Sequence, residues 1–165
     1  MRARAEHPDA VSAAPVGQTI GDPVDALAVF DQWYDAHESG DVPALRDVLH
    51  DDVEVHSLFR PEPARSRDAA VAHFLRTTTV TFAGLAVGLV STPAAAANGA
   101  VLAEVVFTGA FTGELTWRGR TYQGAGQRFA VPGVVMIHTR DGAVTSVRTL
   151  YDRDDWLRQI DVPTC

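Results

Sequence analysis

The chain has 165 residues, 46% of them hydrophobic, which is enough material for one globular domain with a real core. Its formal net charge of −7 excludes nucleic acid as a partner, because phosphate binding needs a basic face. All 14 basic residues are arginine, so lysine Schiff-base and general-base chemistry is excluded, and the only cysteine, Cys165, leaves no disulfide framework and no cysteine-based catalytic pair.

Residues 1–21 are rich in Ala, Pro and Gly without a period and read as a disordered arm; 22–160 read as one α+β domain and 161–165 as a tail. Asp22-Pro23 predicts a helix start, with Leu27, Phe30, Tyr34 and His37 on its inner stripe and Val29 and Trp33 on a neighbouring one. Gly40 ends this helix and Asp41 caps a short second one with Leu45, Val48 and Leu49 inward. A strand is expected over 53–59, broken by Pro61 and Pro63, and Ser66-Arg67-Asp68 opens a third helix carrying Val71, Phe74 and Leu75. From Val80 the pattern turns to strands, at 80–91, 100–113, 121–138 and 143–151, with turns at Pro93 to Gly99, Trp117 to Arg120 and Arg140 to Gly142. Strands this long suit a curved sheet with bulges. Asp152 caps a closing helical turn to Ile160. Helices first and an antiparallel meander after them give an α+β class.

Two blocks carry a resemblance: Gly40-Asp41-Val42-Pro43-Ala44-Leu45 running on to Asp51-Asp52-Val53-Glu54-Val55-His56, and Arg140-Asp141-Gly142-Ala143-Val144 followed by Arg148-Thr149-Leu150-Tyr151-Asp152. With them the chain resembles the SnoaL-like polyketide cyclases and their nuclear-transport-factor-2-like relatives over roughly residues 24–160. The resemblance implies a curved antiparallel or mixed sheet packed on three N-terminal helices around a cone-shaped pocket. It also implies homodimerisation through the outer sheet face, a hydrophobic small-molecule substrate and no cofactor. The fold alone does not choose among isomerases, cyclases, epoxide hydrolases and binding modules.

Aligned with that family, the positions of its familiar acids and bases hold other residues. The ketosteroid isomerase base falls on Ser57, its helical tyrosine on Trp33 and its second oxyanion-hole group on Val135. Of the Asp–Arg–Asp set of limonene-epoxide-hydrolase-like proteins, the arginine falls on Val105, the first aspartate on Phe107 and the second on Thr149, and the cyclase aspartate falls again on Val135. Serine cannot serve as a carboxylate base and valine donates no hydrogen bond. The pocket is therefore expected to be apolar, lined by Val53, Val55, Val105, Phe107, Val135 and Ile137.

Candidate polar groups are fewer. Strand alternation puts Glu54 and His56 on the face opposite Val55 and Ser57, unless a bulge reverses the phase and makes Glu54 a base and His56 a proton shuttle. His56, Glu54 and Tyr34 form the candidate catalytic set; Trp33, His37, Val55, Ser57, Val105, Phe107, Val135, Thr149 and Tyr151 are the candidate substrate contacts. The six histidines include no HxH or HExxH spacing, so no metal site is expected. The N-terminus lacks a signal-like apolar run and nowhere are there about 18 consecutive apolar residues, which predicts a cytoplasmic protein without a membrane anchor. Three functions stay open: a cyclase of bacterial secondary metabolism closing a polyketide-type ring mainly by conformational restriction, a non-enzymatic binding module, and an epoxide-opening enzyme with a rearranged set such as Glu54, His56 and Glu104.

Overall fold

The computed structural model describes residues 23–96 and 98–164; the proposed arm 1–21, the Asp22 cap and Cys165 lie outside the described residues. Helix α1 runs Pro23–Ser39, and its apolar residues bury Ala26, Val29, Phe30, Trp33 and Ala36. That buried stripe is displaced from the predicted one, leaving Leu27, Tyr34 and His37 half-buried at its border. The reason is steric: the small side chains of Ala26 and Ala36 let the helix approach the sheet closely, and alanine carries little weight in an apolar periodicity. Gly40 ends α1 at φ +68°, with its N–H donating to the His37 carbonyl at 3.3 Å.

Helix α2, Val42–Val48, starts at Asp41, whose carboxylate accepts the Ala44 N–H at 3.0 Å. Strand β1 then covers Leu49–His56, starting and ending earlier than predicted. Its parallel pairing with the last strand, β9 (Ala143–Tyr151), already begins at Leu49 opposite Val144. Strand β2, Ala64–Arg65, adds antiparallel to β1. Helix α3, Arg67–Leu75, is capped by Ser66 Oγ, which accepts the Ala69 N–H at 3.3 Å. It continues into a π turn, Arg76–Thr81, where a strand had been expected from Val80. The hydroxyls of Thr77, Thr78 and Thr79 bond back to carbonyls of the preceding turn at 2.6–3.0 Å and hold this helical extension.

The remaining strands are β3 (Phe82–Leu89), β4 (Ala94–Ala95), β5 (Ala100–Phe111), the hairpin β6 (Glu114–Trp117) and β7 (Arg120–Gln123), and β8 (Gln127–Arg140). The main sheet has the order β2-β1-β9-β8-β5-β3 with β4 attached to β5, and β6–β7 stands apart. The strand predicted over 121–138 is thus divided. Gly124 lies so close to the Phe111 backbone that a Cβ there would meet it at 2.5 Å, and Gly126 at φ +92° turns the chain out of the hairpin into β8. Register shifts in β1, β3 and between β8 and β9 bend the sheet around the helices. Helix α4, Arg153–Gln159, follows Asp152 as its cap, the carboxylate accepting the Asp155 N–H at 2.9 Å, and adds a fourth helix to the three predicted at the N-terminus. The fold is the expected α+β one, a curved mixed sheet with helices on its concave face.

Candidate functional site

Alternation along the long strands decides what can face the interior. On β5 and β8 the inward positions are Val101, Ala103, Val105, Phe107 and Phe111, and Phe129, Val131, Val135 and Ile137, all buried. Helix α1 packs over these two strands, so the middle of the sheet is solid core. The free space lies to one side, enclosed by α1, α3, the π turn, β1, β3, β9 and α4: a cavity of about 120 Å³. Val53, Val105, Val135 and Ile137, each at most 1% exposed, are therefore core residues rather than pocket wall as expected, whereas Val55 and Phe107 do line the cavity.

The floor is aromatic. Trp156 of α4 has the rings of Phe59, Phe82, Phe107, Phe129 and Tyr151 at centroid distances of 5.3, 5.5, 5.6, 4.7 and 4.8 Å. Tilted, edge and stacked contacts of this kind fill volume densely and each adds roughly 0.5–1.5 kcal/mol beyond area burial. Trp156 is buried, and its Nε1–H has no hydrogen-bond partner among the described residues.

The polar groups of the wall are few and mostly uncharged. Burial pushes the Tyr151 phenol up to about 12, with the Ser57 side chain, the Leu58 backbone and Arg153 pulling it partly back. Tyr151 thus stays a neutral O–H donor near pH 7, beside Ser57. Burial, then the charges of Arg60 and His37, push His73 down to about 4, which keeps its imidazole neutral. Thr149 Oγ1 donates to the His56 carbonyl at 3.4 Å. None of the lining residues is an aspartate or glutamate. An adjoining groove of about 350 Å³ shares Ser57, Phe59, His73, Thr77 and Phe82 with the cavity and is edged by Arg60, Arg76 and Glu114.

Of the sequence candidates, Trp33, His37, Val55, Ser57, Phe107, Thr149 and Tyr151 are brought together around the cavity. Val55 and Ser57 point inward. His56 borders the cavity, but its Nε2 lies 3.2 Å from Glu54, whose carboxylate also pairs with Arg65 at 2.8 Å. Glu54 is outside the lining, and Glu104 stands on the exposed outer face of β5 opposite Val134, so the two acids are not gathered with His56 in one cavity. Tyr34 is also outside the lining; its hydroxyl donates to the Val87 carbonyl at 2.7 Å, and burial together with Glu38 raises its pKa. Residues not singled out as site residues from the sequence also belong to it, among them His73, Thr77, Trp156 and, behind His37, Glu38. His73 and Thr77 sit one turn apart on the extended helix, which the sequence reading carries only to Leu75. No sequence signal announces Glu38, whose partner Val87 lies 49 positions away.

A family model described as SnoaL-like polyketide cyclase matches residues 28–160. The chain belongs to that family. Among solved structures it is similar to a protein assigned as a SnoaL-like polyketide cyclase from Jannaschia sp. CCS1, at 18% identity and TM-score 0.69, covering 93% of this chain and 99% of that one. TsrD from Streptomyces laurentii aligns at 20% identity and TM-score 0.68 over 86% and 98% of the two chains. An LEH-like epoxide hydrolase from M. tuberculosis aligns at 16% identity and TM-score 0.64 over 83% and 90%. At these identities the structures speak for a shared fold and not for a shared reaction. No curated protein matches the chain in sequence.

Proposed function

We propose that this SnoaL-like protein is a cofactor-independent cyclase of bacterial secondary metabolism that promotes ring closure of a hydrophobic polyketide-type intermediate, chiefly by restricting its conformers. The observation that carries the reading is the wall itself: aromatic and aliphatic side chains, no carboxylate, and a half-buried Tyr151–Ser57 pair offering hydrogen bonds without charge. Holding a chain in a reactive fold can lower a barrier by about 7–11 kcal/mol at the extreme. A cavity of about 120 Å³ is smaller than the roughly 300–1,000 Å³ of typical ligand pockets. One ring-sized portion is therefore enclosed and the rest of the substrate lies in the adjoining groove. Trp33, His37, Val55, Phe107 and Thr149 supply the remaining contacts in this reading.

The protein acts in the cytoplasm as a homodimer joined through the outer sheet face, where Leu102, Val106, Val134, Met136 and Leu150 form an apolar strip. No helix of the described residues is long and apolar enough to cross a membrane. Incubation with linear polyketide-type intermediates tests the reading: faster closure and a changed stereoisomer ratio support it. A second reading, a pocket that sequesters an apolar metabolite without turnover, is favoured by the same absence of acids; binding with unchanged cyclisation would select it.

A further inference from the structure

A histidine becomes a directed base when one ring nitrogen is held by an acceptor and the other is left free in a cavity. His37 meets both conditions. Its Nδ1 lies 2.9 Å from Glu38 Oε1, and its Nε2 has no hydrogen-bond partner among the described residues. The ring is wedged between Trp33 and Phe74, with centroids at 5.3 and 4.8 Å, and lines the cavity with its side chain 17% exposed. Glu38 is itself fixed: both carboxylate oxygens accept the Val87 N–H, at 3.2 and 3.1 Å, tying it to the edge strand β3. An ionised carboxylate only accepts, so Nδ1 carries a proton and, in the neutral ring, Nε2 holds the lone pair.

We propose that His37 is the proton-accepting group of this cavity and that Glu38 is the positioning residue that fixes its tautomer. The proposal rests on the cyclase reading and adds to it the group that moves the proton. In the step implied, Nε2 takes the proton from the carbon α to the carbonyl and the C–H pair forms an enolate, whose oxygen accepts a hydrogen bond from Tyr151. When the enolate carbon adds to a second carbonyl, the new C–C bond leaves an alkoxide. The alkoxide takes the proton back from His37, and no other reactant is needed. The other titratable groups lining the space are His56, His73 and Tyr151, with Arg60, Arg76 and Glu114 at the edge of the groove, whereas α2, β3 and β5 present Leu45, Leu85, Val87 and Phe107 to it.

The test uses 5-nitrobenzisoxazole, a flat carbon acid. Its C3 proton passes to a base as its N–O bond breaks, giving a coloured cyanonitrophenolate. Wild-type protein is expected to turn it over above buffer background and His37→Gln to lose roughly 100-fold or more of that rate. Glu38→Gln keeps an acceptor but removes the charge; it is expected to slow turnover about tenfold through kcat with KM unchanged and to leave the two ring tautomers of His37 mixed in the nitrogen-15 spectrum, a change that lost packing alone would not give. Independently, nitrogen-15 NMR of the unaltered protein is expected to find neutral His37 with its proton on Nδ1. Absence of wild-type turnover, an undiminished rate in His37→Gln, or a proton on Nε2 each overturns the proposal. Failure of the cyclase reading looks different: 5-nitrobenzisoxazole is turned over through His37 while linear intermediates cyclise as they do in buffer.

Discussion

The Tyr34 hydroxyl donates to the Val87 carbonyl at 2.7 Å while Glu38, one turn further along α1, accepts the N–H of the same residue. Both backbone groups of Val87 that face away from β5 are thus taken by side chains of one helix. β3 ends the sheet order, so the clamp also covers an edge that would otherwise offer free hydrogen-bonding groups. Removing the Tyr34 hydroxyl leaves the Val87 carbonyl unpaired, which costs about 1–3 kcal/mol. Tyr34→Phe is expected to lower the urea midpoint accordingly with an unchanged m-value; an unaltered midpoint would show that water replaces the hydroxyl.

Trp156 joins the C-terminal helix to the cavity floor. Truncating a buried aromatic of this size is expected to destabilise by about 3–5 kcal/mol. Trp156→Leu keeps part of the packing and enlarges the cavity, so it is expected to bind larger apolar ligands than wild type. Denaturation curves and titration with a series of naphthalene- and anthracene-sized compounds check the two outcomes.

His73 makes stability depend on pH. Its folded pKa of about 4 lies below the ordinary 6.5, so between these values the unfolded chain binds the proton and the folded one does not. Stability therefore falls as pH drops from 6.5 towards 4, by roughly 3 kcal/mol over the whole window, and is regained above it. His73→Gln is expected to flatten this part of the stability–pH curve. An equal slope in wild type and variant would assign the acid loss to other groups.

The outer sheet face supplies a fourth check. Val134 sits between Glu104 on β5 and Leu150 on β9, in the centre of the apolar strip. A charge there faces desolvation in any dimer that buries the strip. Sedimentation is expected to find wild type as a dimer and Val134→Asp as a folded monomer; a wild-type monomer at tens of micromolar contradicts the assembly.

The elements most legible in the sequence were those with local chemistry. Asp41, Ser66 and Asp152 cap the helices that follow them, and the turns at Arg118-Gly119 and Asp141-Gly142 adopt the positive φ values that glycine favours. What failed was non-local. The π turn arises because threonine hydroxyls, usually a strand signal, bond back to helix carbonyls. The pocket wall was half legible: alternation set Val55 and Ser57 on one face and the family resemblance placed Phe107 and Thr149 at the site, but neither could say that α1 would cover Val105 and Val135 and leave open only the side towards β1, β3 and β9. His73 and Glu38 escaped because their roles come from partners on other elements.

The central claim is that this cavity directs ring closure, and the most direct measurement is the rate and stereochemistry of cyclisation of linear polyketide-type intermediates by wild type and by Ser57→Phe, which fills the space beside Tyr151. Wild type is expected to accelerate closure and favour one stereoisomer, and Ser57→Phe to lose both effects while remaining folded. A product ratio identical to that in buffer, or a full effect in the filled variant, would contradict it.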